Sequence, residues 1–102
     1  MIARIWHGVT AAAKANEYVE YLKVSELSDY AKTDGNRGVY LLRRVAGNEA
    51  HFLILTFWDS EQALQQFGAE DIERERYYPK DAEFLLKFEP LLVKHDEVVV
   101  AA

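Results

Sequence analysis

Three histidines and a tyrosine pair are the residues of this 102-residue chain best suited to move a proton near neutral pH. Histidine is the side chain whose ordinary pKa lies closest to neutrality, which makes it the natural general base. His7, His51 and His95 each fall in a strand-like run and are far apart in sequence. Only Asp96 and Glu97 stand beside a histidine as further ligand types, and strand alternation sends that adjacent pair to opposite faces, so no metal site is expected. Tyr77 and Tyr78 precede Pro79 in the least regular part of the chain. Two phenols there could orient a substrate oxygen or donate to a developing oxyanion, or could simply cover a small core. Trp58 closes the run "ILTFW" just before "DSEQALQQF". Its position reads first as core packing, with one partner for the indole N–H, and otherwise as an apolar wall beside Phe67.

The elements that must position these groups follow from the hydrophobic pattern. "IARIWHGV" reads as a first strand. Alternation leaves two choices for it, and with Trp6 turned away from the helices His7 is turned towards them. Thr10 can cap a helix whose stripe is Ala15, Tyr18, Val19 and Leu22, running to about Tyr30 with a break near Ser25. "KTDGNRG" is a loop, and "VYLLRRVAGNEAHFLILTFW" is two strands around an Ala-Gly-Asn-Glu turn, one of Arg43 and Arg44 pointing to each sheet face. Asp59 with Gln62 forms a capping box for a helix buried through Ala63, Leu64 and Phe67 and ended at Gly68. A short helical turn over 81 to 87, with Phe84, Leu85 and Phe88 inward, and a last strand in "LLVKHDEVVV" complete the order.

Strand, helix, strand, strand, helix, strand is the ferredoxin-like βαββαβ order of an α+β domain: a four-stranded antiparallel sheet with both helices on one face. One domain spanning residues 1 to 102 is expected. The uncovered sheet face would carry large apolar residues, which predicts a homodimer packed face to face. Lys and Arg total 12 against 17 Asp and Glu, a net charge of −5 that disfavours nucleic acid. There are no cysteines, which excludes disulfides, thiolate metal sites and cysteine nucleophiles. No segment approaches the roughly 20 apolar residues of a membrane span and no signal peptide is evident, so a cytoplasmic location is expected.

The element order, with "FLILTFWDSEQALQQF" at the third strand and second helix, resembles the antibiotic biosynthesis monooxygenase family of dimeric α+β barrels. That family includes cofactor-independent quinol and anthrone oxygenases and a branch that degrades haem. The resemblance implies a small apolar or aromatic ligand and a base that makes an electron-rich anion able to react with O₂ without metal or flavin. On that reading His7 is the base, Tyr77 or Tyr78 orients the substrate, Trp58, Phe67 and Tyr78 bind it, and no cofactor is needed. The haem-degrading branch uses an asparagine, a tryptophan and a histidine at places that fall here on His7, Phe67 and Tyr77. None matches. Tyrosine ligates ferric haem in other proteins, which keeps haem among the possible ligands. The alternative implied by the resemblance is a non-catalytic dimeric barrel that binds a small hydrophobic ligand or haem in the same pocket.

Overall fold

The computed structural model of the protein describes residues 1–68, 81–87 and 94–101. The described elements are β1 (Ile2–Ala11), a 3₁₀ turn (Ala12–Lys14), α1 (Ala15–Val24), α2 (Glu26–Lys32), β2 (Asn36–Ala46), β3 (Glu49–Trp58), α3 (Glu61–Gly68), α4 (Asp81–Phe84), β4 (Leu85–Lys87) and β5 (Lys94–Glu97). The result is the expected α+β architecture. The antiparallel sheet runs β2-β3-β1, and the outer side of β1 is shared by two short segments: β4 at Val9 and Thr10, and β5 at Ile2 to Ile5.

A two-residue turn, Gly47-Asn48, joins β2 to β3 and pairs Ala46 with Glu49. Gly47 has φ 59°, the left-handed region that glycine enters without steric cost. From that turn the register is fixed outward, placing Arg44 opposite His51 and Leu42 opposite Leu53. Gly35 also has positive φ, at 87°, and a Cβ there would lie 2.4 Å from that of Ala63, so this loop needs glycine to pack against α3.

Alternation assigns the faces. Ala50, Phe52, Ile54, Thr56 and Trp58 of β3 are buried under the helices with Tyr18, Leu22 and Tyr30. Trp6 belongs to this core, 1% exposed. This corrects the expected orientation of β1, since the helices cover Trp6 and His7 lies on the helix-free side. The reason is packing volume: the indole fills the space over Gly8, where a Cβ would come within 2.3 Å of the Trp6 ring.

Other boundaries differ from the sequence pattern for local reasons. Thr10 does not cap a helix; β1 continues through it, and its buried hydroxyl donates to the Ala11 carbonyl at 3.0 Å. The break at Ser25 is present, with its hydroxyl donating to Tyr21 O at 2.8 Å. The cap of α3 is Ser60, whose Oγ accepts from Ala63 N at 3.2 Å, because the Asp59 carboxylate is occupied by Arg37. Near residue 81 helix persists only to Phe84; Leu85 turns into β4 because β1 still offers an unpaired edge at Val9 and Thr10. Phe88 lies outside the described residues.

Candidate functional site

The groups with acid–base capacity meet on the helix-free face. His7 on β1 and His51 on β3 are diagonal neighbours, since His7 pairs with Leu53 and Val9 with His51. His7 Nε2 and His51 Nδ1 are 3.1 Å apart. Their ring planes differ by 8° while the centroids stand 5.3 Å apart. Centroids that distant beside nitrogens that close mean that the rings meet edge to edge, as an in-plane N–H···N bond requires.

Glu49, two residues before His51 and on the same face, brings Oε1 to 3.7 Å from His51 Nε2. This carboxylate bears on the tautomer of His51. A lone pair on His51 Nε2 would face negative charge, which favours the tautomer with the hydrogen on that nitrogen. In that tautomer His51 Nδ1 is the acceptor and His7 Nε2–H the donor. A proton taken up by His7 would make the bond to His51 charge-assisted, which strengthens it.

The pair lines a cavity of about 330 Å³ completed by Leu42, Arg43, Arg44 and Leu53. Two leucines supply an apolar floor. Arg43 and Arg44 divide between the faces, as consecutive strand residues must. Arg43 Nη1 donates to Asn16 Oδ1 of α1 at 2.8 Å. Arg44, opposite His51, has no hydrogen bond or ion pair among the described residues.

The helix side carries different polar groups. Arg4 is buried and its Nη1 donates to the Tyr30 hydroxyl at 2.6 Å, with the guanidinium carbon 5.6 Å from the Tyr30 ring centre. His95 stands opposite Arg4 in β5, so it is on the sheet face away from His7 and His51. A second cavity, of about 520 Å³, opens between α1 and β2 and is lined by Asn16, Val19, Glu20, Leu41 and Arg43. At the rim of the sheet the Asp59 carboxylate accepts from Arg37 Nε, and this hydrogen bond and the opposite charge hold the Arg37 guanidinium further above its ordinary pKa.

Trp58 is a packing residue. Its ring is fully buried against Tyr30, its N–H donates to Thr56 Oγ1 at 2.8 Å, and it lines neither cavity. Tyr77 and Tyr78 lie outside the described residues, as does the side chain of Phe67. Of the expected site residues the structure therefore brings His7 into a cavity, on the opposite sheet face from the one expected. His51, Glu49 and Arg44 complete that cluster. Arg44 and His51 could be paired by counting outward from the Gly47-Asn48 turn, whereas the β1–β3 register has no such local marker. Among the described residues, no group of three or more His, Cys, Asp or Glu is placed to hold a metal ion, and no helix is long and apolar enough to cross a membrane.

No protein-family model and no curated protein matches the sequence. Solved structures do match over nearly the whole chain. The cofactor-independent oxygenase SnoaB from Streptomyces nogalater aligns at TM-score 0.59 and 13% identity, covering 99% of this chain and 93% of its own. A provisionally assigned antibiotic biosynthesis monooxygenase from Bacillus cereus aligns at TM-score 0.63 and 13% identity, covering 99% and 97%. The fold is that of the antibiotic biosynthesis monooxygenase proteins. The haem-degrader MhuD from Mycobacterium tuberculosis, in a structure with two haems in its active site, shares this monooxygenase fold at TM-score 0.61 and 21% identity, covering 100% and 99%. At such identities the likeness carries architecture, and chemistry must be argued from the residues of this chain.

Proposed function

We propose that this protein is a cofactor-independent monooxygenase acting on a small phenolic, quinol-type or anthrone-like aromatic bound in the cavity of His7 and His51. The observation that carries this reading is the pair itself: two histidine rings joined nitrogen to nitrogen at 3.1 Å on the wall of a cavity with an apolar floor. His7 removes a proton from the substrate and leaves an electron-rich anion. That anion passes an electron to O₂, and the two radicals combine into a carbon-bound peroxide. The protonated His7 returns its proton to the peroxide. Loss of the remaining C–H proton then breaks the O–O bond, so that two substrate hydrogens are replaced by one oxygen and the other oxygen leaves as water. The same fold carries an oxygenase that needs no cofactor in SnoaB, which supports the reading at the level of architecture.

Haem is the second candidate ligand, because a protein of this fold holds it. The described residues of the α1–β2 cavity offer no imidazole or phenol for the iron, whereas His7 and His51 bring two imidazoles to the helix-free cavity, so haem would compete there with the aromatic substrate. A homodimer through the helix-free face belongs to the proposal. Tyr40, Leu42 and Leu53 are 60%, 45% and 37% exposed there, and a second copy over them would shield the cavity from water.

Oxygen uptake by metal-free protein tests the proposal, with hydroquinones, naphthols and anthrones as substrates and His7→Ala as the control. Uptake on at least one substrate, abolished in the variant, is the expected result. Uptake on none, or uptake that His7→Ala leaves intact, overturns it.

A further inference from the structure

The lining of the His7 cavity is more basic than deprotonation requires. Arg44 stands opposite His51 in register and lines the cavity, yet it makes no hydrogen bond or ion pair among the described residues. Its neighbour Arg43 is held by Asn16, and the third arginine of the strand, Arg37, is held by Asp59. The carboxylate of Glu49 faces His51 Nε2 rather than Arg44. A guanidinium beside an apolar floor is a ready partner for a planar anion, since its donors match a carboxylate two at a time.

Position along the sheet narrows the ligand. Arg44 is on β2 and His7 on β1, with β3 between them, so their backbones are two strand spacings, roughly 10 Å, apart across the sheet. Leu42 and Leu53 occupy the row that also contains His7. A fused two-ring aromatic laid on those leucines spans from the base at one end to the guanidinium at the other.

Resting on the reading of this cavity as the substrate site, we infer that its substrates are phenolic aromatics bearing an anionic group, a carboxylate or its equivalent, which Arg44 binds while the acidic hydroxyl or carbon faces His7. Arg44 is a specificity residue on this assignment. It contributes affinity for one end of the molecule and takes no part in proton transfer.

The test is binding under anaerobic conditions, so that it does not depend on turnover. Naphthol is compared with a hydroxynaphthoate whose carboxylate and hydroxyl sit on opposite rings, by titration calorimetry on the full-length protein. A charge-assisted contact predicts that the hydroxynaphthoate binds about tenfold tighter or better. Arg44→Gln collapses the ratio of the two affinities to near one, and Arg44→Lys, which keeps the charge but loses the paired donors, retains part of it. Equal affinities in the unaltered protein overturn the inference, as does failure of both compounds to bind, or a ratio that survives Arg44→Gln. An Arg44→Gln change that weakens self-association while leaving the ratio intact also overturns it, because the anion facing Arg44 is then a carboxylate of a second copy. If the ratio behaves as expected but no compound drives oxygen uptake, the anion site stands and the monooxygenase reading fails.

Discussion

Removing His51 should slow the reaction without loosening the substrate, and its size follows from the geometry. With both rings neutral, the 3.1 Å contact between His7 Nε2 and His51 Nδ1 is a neutral hydrogen bond, worth about 1 kcal/mol net. Once His7 holds the substrate's proton, the same contact involves a cation and is worth about 1.5–3 kcal/mol. The difference, about 0.5–2 kcal/mol, stabilises the charge-separated state alone, and its loss corresponds to about 2- to 30-fold in rate. His51→Leu should therefore lower kcat by that factor and leave KM nearly unchanged. His51→Asn places an amide oxygen where Nδ1 was and should recover most of the loss. Steady-state oxygen uptake across substrate concentrations gives kcat and KM separately, and thermal melts confirm that both variants fold. A full-speed His51→Leu, a loss confined to KM, or an Asn variant as slow as the Leu variant would refute the proton-holding role.

Three further outcomes follow from the core and the open face. Gly8→Ala puts a Cβ within 2.3 Å of the Trp6 ring and should cost about 1–3 kcal/mol, read from urea denaturation; a stability within 0.5 kcal/mol of the unaltered protein would contradict the close approach. Thr56→Val removes the Oγ1 that accepts from the buried Trp58 N–H and should cost about 1–3 kcal/mol, whereas Thr56→Ser, which keeps the acceptor, should cost less; equal costs would show that the hydroxyl is not the relevant partner. Tyr40→Glu adds charge to the helix-free face away from the cavity and should weaken self-association about tenfold or more by analytical ultracentrifugation; unaltered association would place any dimer contact elsewhere.

The parts of the fold legible in the sequence are those encoded locally. Gly47-Asn48 between two bulky runs fixes a hairpin and its register, and the three-four repeat of Ala15, Tyr18 and Leu22 fixes the buried stripe of α1. What failed depended on competition between elements. Asp59 has the chemistry of a helix cap, but Arg37, 22 residues earlier, takes its carboxylate and leaves the cap to Ser60. Thr10 has the chemistry of a cap as well, but pairing with β3 carries the strand past it to Ala11. The orientation of β1 hinged on whether Trp6 or His7 fills the space below the helices, and alternation by itself is silent on that choice. Gly8 decides it, because only a residue without a side chain leaves room for the indole. The same choice carried the candidate site to the other sheet face, where His51 and Glu49 became visible only once β1 and β3 were in register.

The claim on which the functional account stands is that His7 takes the substrate's proton before oxygen reacts. Anaerobic mixing of the protein with an anthrone or naphthol, followed by absorbance of the bound anion, tests it without any contribution from turnover. The account predicts that the anion forms in the unaltered protein near neutral pH and persists until oxygen is admitted, and that His7→Ala binds the compound but leaves it protonated. Anion formation undiminished in His7→Ala, or none in the unaltered protein with substrate bound, would contradict it.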